Sequence, residues 1–143
     1  MMNNTVYGDN YGNVGGNNNT TINYFILGNA SFIKRVNTEA GLSEQQWGLI
    51  FLDVINNCSD TIITQVEQGI RQRDRVIRVD MTSIYDYCGK LLYYNGVKSN
   101  EYIEEFVIRF FSTLVGLNGW NFDVEVVPIM SRTFYELTPE GKG

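Results

Sequence analysis

At 143 residues, 43% of them hydrophobic, the chain is long enough for one cored domain and short for two. Its net charge of −5, with 11 Lys and Arg against 16 Asp and Glu, argues against a duplex nucleic-acid binder, which needs a basic face, and is too slight for a DNA mimic. The complete lack of His excludes Ser-His and Cys-His nucleophile pairs, His-ligated zinc and imidazole acid–base catalysis.

The opening MMNNTVYGDN has neither the basic nor the apolar region of a secretory signal. No apolar run approaches the ~20 residues that cross a bilayer. The expectation is a cytoplasmic protein, in its own cell or a host, with no membrane partner. Residues 3–23 read NNTVYGDNYGNVGGNNNTTIN, almost wholly Asn, Gly, Thr, Tyr and Val. Such a stretch buries too little apolar surface to order itself alone, but Val6, Tyr7, Tyr11 and Val14 are repeated anchors that a pure spacer does not need. Composition therefore divides the chain into an extended segment over residues 1–20 and a single domain over residues 21–143.

Residues 21–27 (TINYFIL) are rich in strand formers, Gly28-Asn29 suits a primed turn, and residues 30–36 return, which predicts a β-hairpin. Ser43 and Gln46 form a capping box, and Trp47, Ile50, Phe51, Val54 and Ile55 make a helix face that Asn56-Asn57 is expected to end. Ser59 or Asp60 caps a second helix carrying Ile62, Ile63, Val66 and Ile70, with Glu67 and Arg71 one turn apart on its surface. Residues 75–80 read as a short strand.

Thr82 or Ser83 caps a third helix whose buried face is Ile84, Tyr87, Cys88, Leu91 and Leu92, closed by Asn95-Gly96. Ser99 caps the fourth, with Ile103, Phe106, Val107, Phe110, Leu114 and Val115 inward and Asn118-Gly119 at its end. Phe122, Val124 and Val126 alternate with Asp123 and Glu125 in a half-buried strand, and residues 133–137 are its expected partner. Strands and helices do not alternate regularly, so the expected class is α+β, with about four helices and a small, mostly antiparallel sheet.

Few residues suggest chemistry. Gly89-Lys90 lacks the upstream Gly and following Ser or Thr of a phosphate-binding loop and reads as a surface lysine. Arg71, Arg73, Arg75 and Arg78 are the one basic cluster, suited to a nucleotide or other small anion, although Glu67, Asp74 and Asp80 interleave with them. Asp80, Asp123 and Glu125, with Glu136 across the strands, are the carboxylates a metal-dependent nuclease would need, but the usual lysine on the same strand is missing. Cys58 and Cys88 fall in helical apolar patterns and read as buried free thiols, a pairing between them staying open. Tyr85, Tyr93, Tyr94 and Tyr102 fall off the core stripes and should be partly exposed, so a protein-binding face is expected there. Nothing calls for a metal or another cofactor.

The segment NNTVYGDNYGNVGGNNNTTIN resembles Asn/Gly-rich repeats at the ends of bacterial defence and amyloid-signalling proteins, on composition and the G-x-N-x-G-N-V pattern. Short Asn/Gly repeats also occur in phage structural proteins. The resemblance covers about the first 24 residues and implies homotypic assembly, with no chemistry. The combined expectation is a non-enzymatic interaction or self-assembly protein, a homo-oligomer built through its N-terminal segment. An anion binder and a nuclease are the alternatives.

Overall fold

The computed structural model describes residues 18–139. In chain order these form α1 (Asn18–Gly28), α2 (Ala30–Val36), α3 (Glu44–Arg71), β1 (Ile77–Asp80), α4 (Thr82–Tyr94), α5 (Asn100–Leu117), β2 (Phe122–Ile129) and β3 (Arg132–Pro139). The class is α+β, as expected. Contacts divide the chain into two compact units, Met1–Ile55 and Asn56–Gly143, with the boundary inside α3.

In the first unit the expected hairpin is two helices. Phe25, Asn29, Phe32 and Val36 are all buried, at i, i+4, i+7 and i+11. That is a helical stripe running through both arms of the presumed hairpin. The β-branched and aromatic content of residues 21–27 favours a strand only where a pleated surface exists to pack it, and here packing selects the 3.6-residue period. Gly28-Asn29 makes no primed turn, because Gly28 is not among the glycines with positive φ. The Asn29 amide Nδ2 donates to the Phe25 carbonyl at 2.7 Å. Its carbonyl accepts from Ile33 N at 2.9 Å, so the chain bends at one residue and helix resumes.

The α3 start is read correctly: Ser43 N donates to Gln46 Oε1 at 2.9 Å and Gln46 N donates to Ser43 Oγ at 3.1 Å. Phe25 then stacks on Phe51 with ring centroids 5.3 Å apart. Asn37 holds the preceding loop, its Oδ1 accepting from Trp47 Nε1 and Leu42 N, both at 3.0 Å.

Two helices are expected over residues 44–71; there is one. Asn56 and Asn57 sit exposed on its outer side, where a mid-helix Asn costs only tenths of a kcal/mol. Cys58 supplies the buried step that joins Val54 to Ile62 in one stripe. Ser59 and Asp60 are therefore interior positions and cap nothing. Ile70, expected inward, is exposed, and Gly69 takes the buried position beside it.

In the second unit the sheet order is β1-β3-β2, all antiparallel. Val79 pairs with Tyr135, which pairs with Val126, and Ile77 pairs with Leu137, which pairs with Val124. These rows form the inner face. Phe111 of α5 meets Tyr135 edge-on, with ring centroids 4.9 Å apart. Phe106, Val107, Phe110, Leu114 and Val115 are buried as expected, and Phe111 joins them. Gly96 and Gly119 have positive φ and end α4 and α5 as expected. The same end closes α3, but there Arg73 holds the left-handed position, with φ 59°. Arg73 N donates to the Ile70 carbonyl and Asp74 N to the Gly69 carbonyl, both at 3.0 Å.

Candidate interaction surface

The two edges of the sheet differ. β1 is four residues long, and Gln65 of α3 covers its outer side: Asp80 N donates to Gln65 Oε1 at 2.9 Å, and Gln65 Nε2 donates to the Asp80 carbonyl at 3.4 Å. A side-chain amide thus replaces a missing strand. β2 is eight residues long and, among the described residues, has β3 on one side only.

Register defines what β2 offers. A two-residue loop, Met130-Ser131, closes on the facing pair Ile129 and Arg132. Such a loop closes on a hydrogen-bonded pair, so Val127, Glu125 and Asp123 also direct their backbone at β3. Phe122, Val124, Val126 and Pro128 then turn theirs to the open edge. The Gln65–Asp80 bonds agree with this alternation, since it turns the Asp80 backbone outward from β1. Pro128 has no N–H to offer, which is why a proline is tolerated there. Val126 is 43% exposed although it shares the inner face with buried Tyr135 and Val79, so the helices do not cover the sheet as far as β2. Met130 at the hairpin tip is 99% exposed and has positive φ.

The outer face is charged. Arg78 donates through Nη2 to Glu136 Oε2 at 2.6 Å and lies over the Phe134 ring, 5.6 Å from its centroid. Arg132 donates to Asp80 Oδ2, its Nε at 3.0 Å. That guanidinium holds the Asp80 carboxyl below its ordinary range, helped by Thr82 N, which donates to Asp80 Oδ1 at 3.0 Å. Glu125 faces Glu136 across the ladder and Asp123 faces Thr138.

These positions sort the expected site residues. Arg78 is engaged on the sheet, whereas Arg71, Arg73 and Arg75 are exposed and form no ion pair among the described residues. Glu67 and Asp74 do not neutralise them. Asp123 and Glu125 share one face, but Asp80 is on the far edge strand, committed to Arg132, and no group of three candidate ligands forms a metal cluster among the described residues. Lys90 is a surface lysine paired with Asp86 at 3.3 Å. Cys58 and Cys88 are both buried and form no disulfide among the described residues.

The tyrosines divide. Tyr94 is 89% and Tyr93 56% exposed, with Lys98 Nζ 5.1 Å from the Tyr93 ring centroid. Tyr102 is half-buried. Tyr85, expected to be partly exposed, is half-buried, and its hydroxyl lies 2.6 Å from that of Tyr135. Tyr87, expected in the core stripe, is exposed instead. The two residues are 200° apart on a helix, and α4 is rotated so that Tyr85 faces the sheet while Ile84 and Cys88 remain buried. Burial pushes both the Tyr135 and Tyr85 hydroxyls up, so both are neutral hydrogen-bonding groups at physiological pH. Val6, Tyr7, Tyr11 and Val14 lie outside the described residues. Sequence reasoning did not single out β2 as an edge; Pro128 inside an alternating pattern was the available signal.

No protein-family model, curated protein or solved structure matches this chain. Among the described residues no helix is long and apolar enough to cross a membrane.

Proposed function

We propose that the chain is a non-enzymatic interaction and self-assembly protein of the cytoplasm, its own or a host's, that oligomerises through its N-terminal Asn/Gly-rich segment in a phage or bacterial-defence setting. The observation that carries this reading is the outer edge of β2, a run of main-chain donors and acceptors with no strand beside it among the described residues. Strand addition draws its affinity from the backbone, so a segment of bland sequence suffices as donor. Exposed Tyr93 and Tyr94 add aromatic surface of the kind that anchors protein contacts.

Light scattering on a sizing column, with the full chain and with a Tyr7→Pro/Tyr11→Pro variant, tests it. A defined oligomer that the variant reduces to monomer is expected. Equal masses for the two proteins would remove the N-terminal segment from the assembly.

Arg71, Arg73 and Arg75, exposed and without an ion pair among the described residues, favour a second reading, a binder of a nucleotide or other small anion. A thermal-shift screen against nucleotides and inorganic phosphate tests it: a stabilising hit lost in Arg73→Ala/Arg75→Ala supports it, and a flat screen rejects it.

A further inference from the structure

Two-fold pairing of β2 with β2 of a second copy is the simplest way to close an open edge, and charge opposes it. Centred on Val124, an antiparallel pairing sets Asp123 opposite the second copy's Glu125, and Glu125 opposite its Asp123. Centred on Asp123 or Glu125, it sets identical carboxylates face to face. Like charges directly opposite destabilise a ladder. Sliding the pairing toward the tip brings Pro128 to the edge, where it has no N–H to donate. The edge thus rejects itself, and it would reject any acidic strand.

An acceptable occupant is extended, nearly uncharged, and has aromatic or β-branched residues on one face. This chain holds such a stretch ahead of α1. Between residues 3 and 23 Asp9 is the sole charged residue. Written as a strand, residues 5–14 put Tyr7, Asp9 and Tyr11 on one side and Val6 and Val14 on the other, so with the tyrosines inward Asp9 lies on the inner face, away from Asp123 and Glu125. The open N–H groups belong to Phe122, Val124 and Val126, so the acceptor is a five-residue stretch about 16 Å long. The 17 residues before α1 exceed that length severalfold, which leaves chain to reach a neighbour. A Tyr beside Val124 or Val126 on the inner face makes a favourable aromatic–β-branched pair and covers the half of Val126 that the helices leave bare.

We propose that residues 122–126 of β2 accept residues 5–14 of a second copy as a fourth strand of the sheet. This rests on the assembly reading above and names its acceptor. Each copy is then donor and acceptor at once. The contact is head-to-tail, and it closes to a ring or continues as a filament according to its rotation.

The test uses the full chain with p-benzoylphenylalanine in place of Glu125, as an equal mixture of ¹⁴N and ¹⁵N protein, cross-linked by light and mapped by mass spectrometry. Mixed-isotope links from residue 125 to residues 5–14 are expected. Links to residues 122–129 of the second copy, or links within one isotope only, would overturn the proposal. In parallel, Val126→Lys places an edge-blocking charge on an exposed side chain. It is expected to weaken the oligomer at least tenfold with an unchanged circular dichroism spectrum. An oligomer insensitive to Val126→Lys removes β2 as acceptor and leaves assembly standing. A full chain that stays monomeric at all concentrations removes both.

Discussion

The hydroxyls of Tyr85 and Tyr135 stand 2.6 Å apart, one on α4 and the other on the central strand, and their rings meet edge-on at 6.1 Å. Tyr135 is fully buried and Tyr85 is half-buried, so the two ends of this bond are unequal. Tyr85→Phe leaves the hydroxyl of fully buried Tyr135 without this partner and is expected to cost about 1–3 kcal/mol. Tyr135→Phe leaves the more exposed hydroxyl, which water can serve, and is expected to cost less. The double Phe variant should lose less than the sum of the single variants. Urea unfolding of all four proteins checks this ordering.

Ile77 packs against the bare Cα of Gly69. A Cβ there would lie 2.7 Å from both Ile77 γ carbons, and Ile77 is itself buried. Gly69→Ala gains about 1 kcal/mol in helix propensity and loses about 1–3 kcal/mol to overpacking, so net destabilisation is expected. In an Ile77→Ala background both 2.7 Å contacts are gone and only the 3.2 Å approach to the residue 77 Cβ remains, so the same substitution should cost less or stabilise. A thermodynamic cycle in denaturant shows whether the cost falls.

Arg73 occupies the left-handed position that glycine fills after α4 and α5. A residue with a Cβ costs roughly 1 kcal/mol there. Arg73→Gly is expected to raise stability by up to about 1 kcal/mol, less the favourable charge of an arginine at a helix C-terminus. A melting temperature at or below that of the parent contradicts the account.

The Arg132 guanidinium lowers the folded-state pKa of Asp80 below its unfolded value of roughly 3.9. A depressed carboxyl contributes stability that is full above the unfolded pKa and is lost as pH falls through the folded one. Asp80→Asn should therefore be less stable than the parent at pH 7. The pair is partly solvent-screened, so the difference should be at most about 1 kcal/mol, and it should shrink below pH 4. Unfolding curves between pH 7 and pH 2.5 read it directly; a difference that grows in acid would contradict the assignment.

How far the fold could be read in advance depended on how each element is specified. The capping box at Ser43, the glycine ends at Gly96 and Gly119, and the alternation over residues 122–126 are local signals, and each marks its element correctly. The α1–α2 region failed because two signals conflict there. Strand-forming composition and Gly-Asn argue for a hairpin, while Phe25, Asn29, Phe32 and Val36 keep helical spacing, and burial decides between them. Asn56-Asn57 failed for the same reason: a weak local breaker yields to an unbroken apolar stripe.

The α+β class, the exposed tyrosines at the end of α4, the buried thiols and the lack of imidazole chemistry followed from residue type and period. Those properties depend on neighbours within a few turns of chain. Tertiary structure alone decided that Tyr85 turns in and Tyr87 out, that Asp80 is spent on Arg132, and that one sheet edge is covered by Gln65 while the other has no strand beside it among the described residues. Each of these depends on strand order and helix rotation, which bring together residues 15 to 52 positions apart. No local pattern encodes such pairings, because they arise only when elements pack.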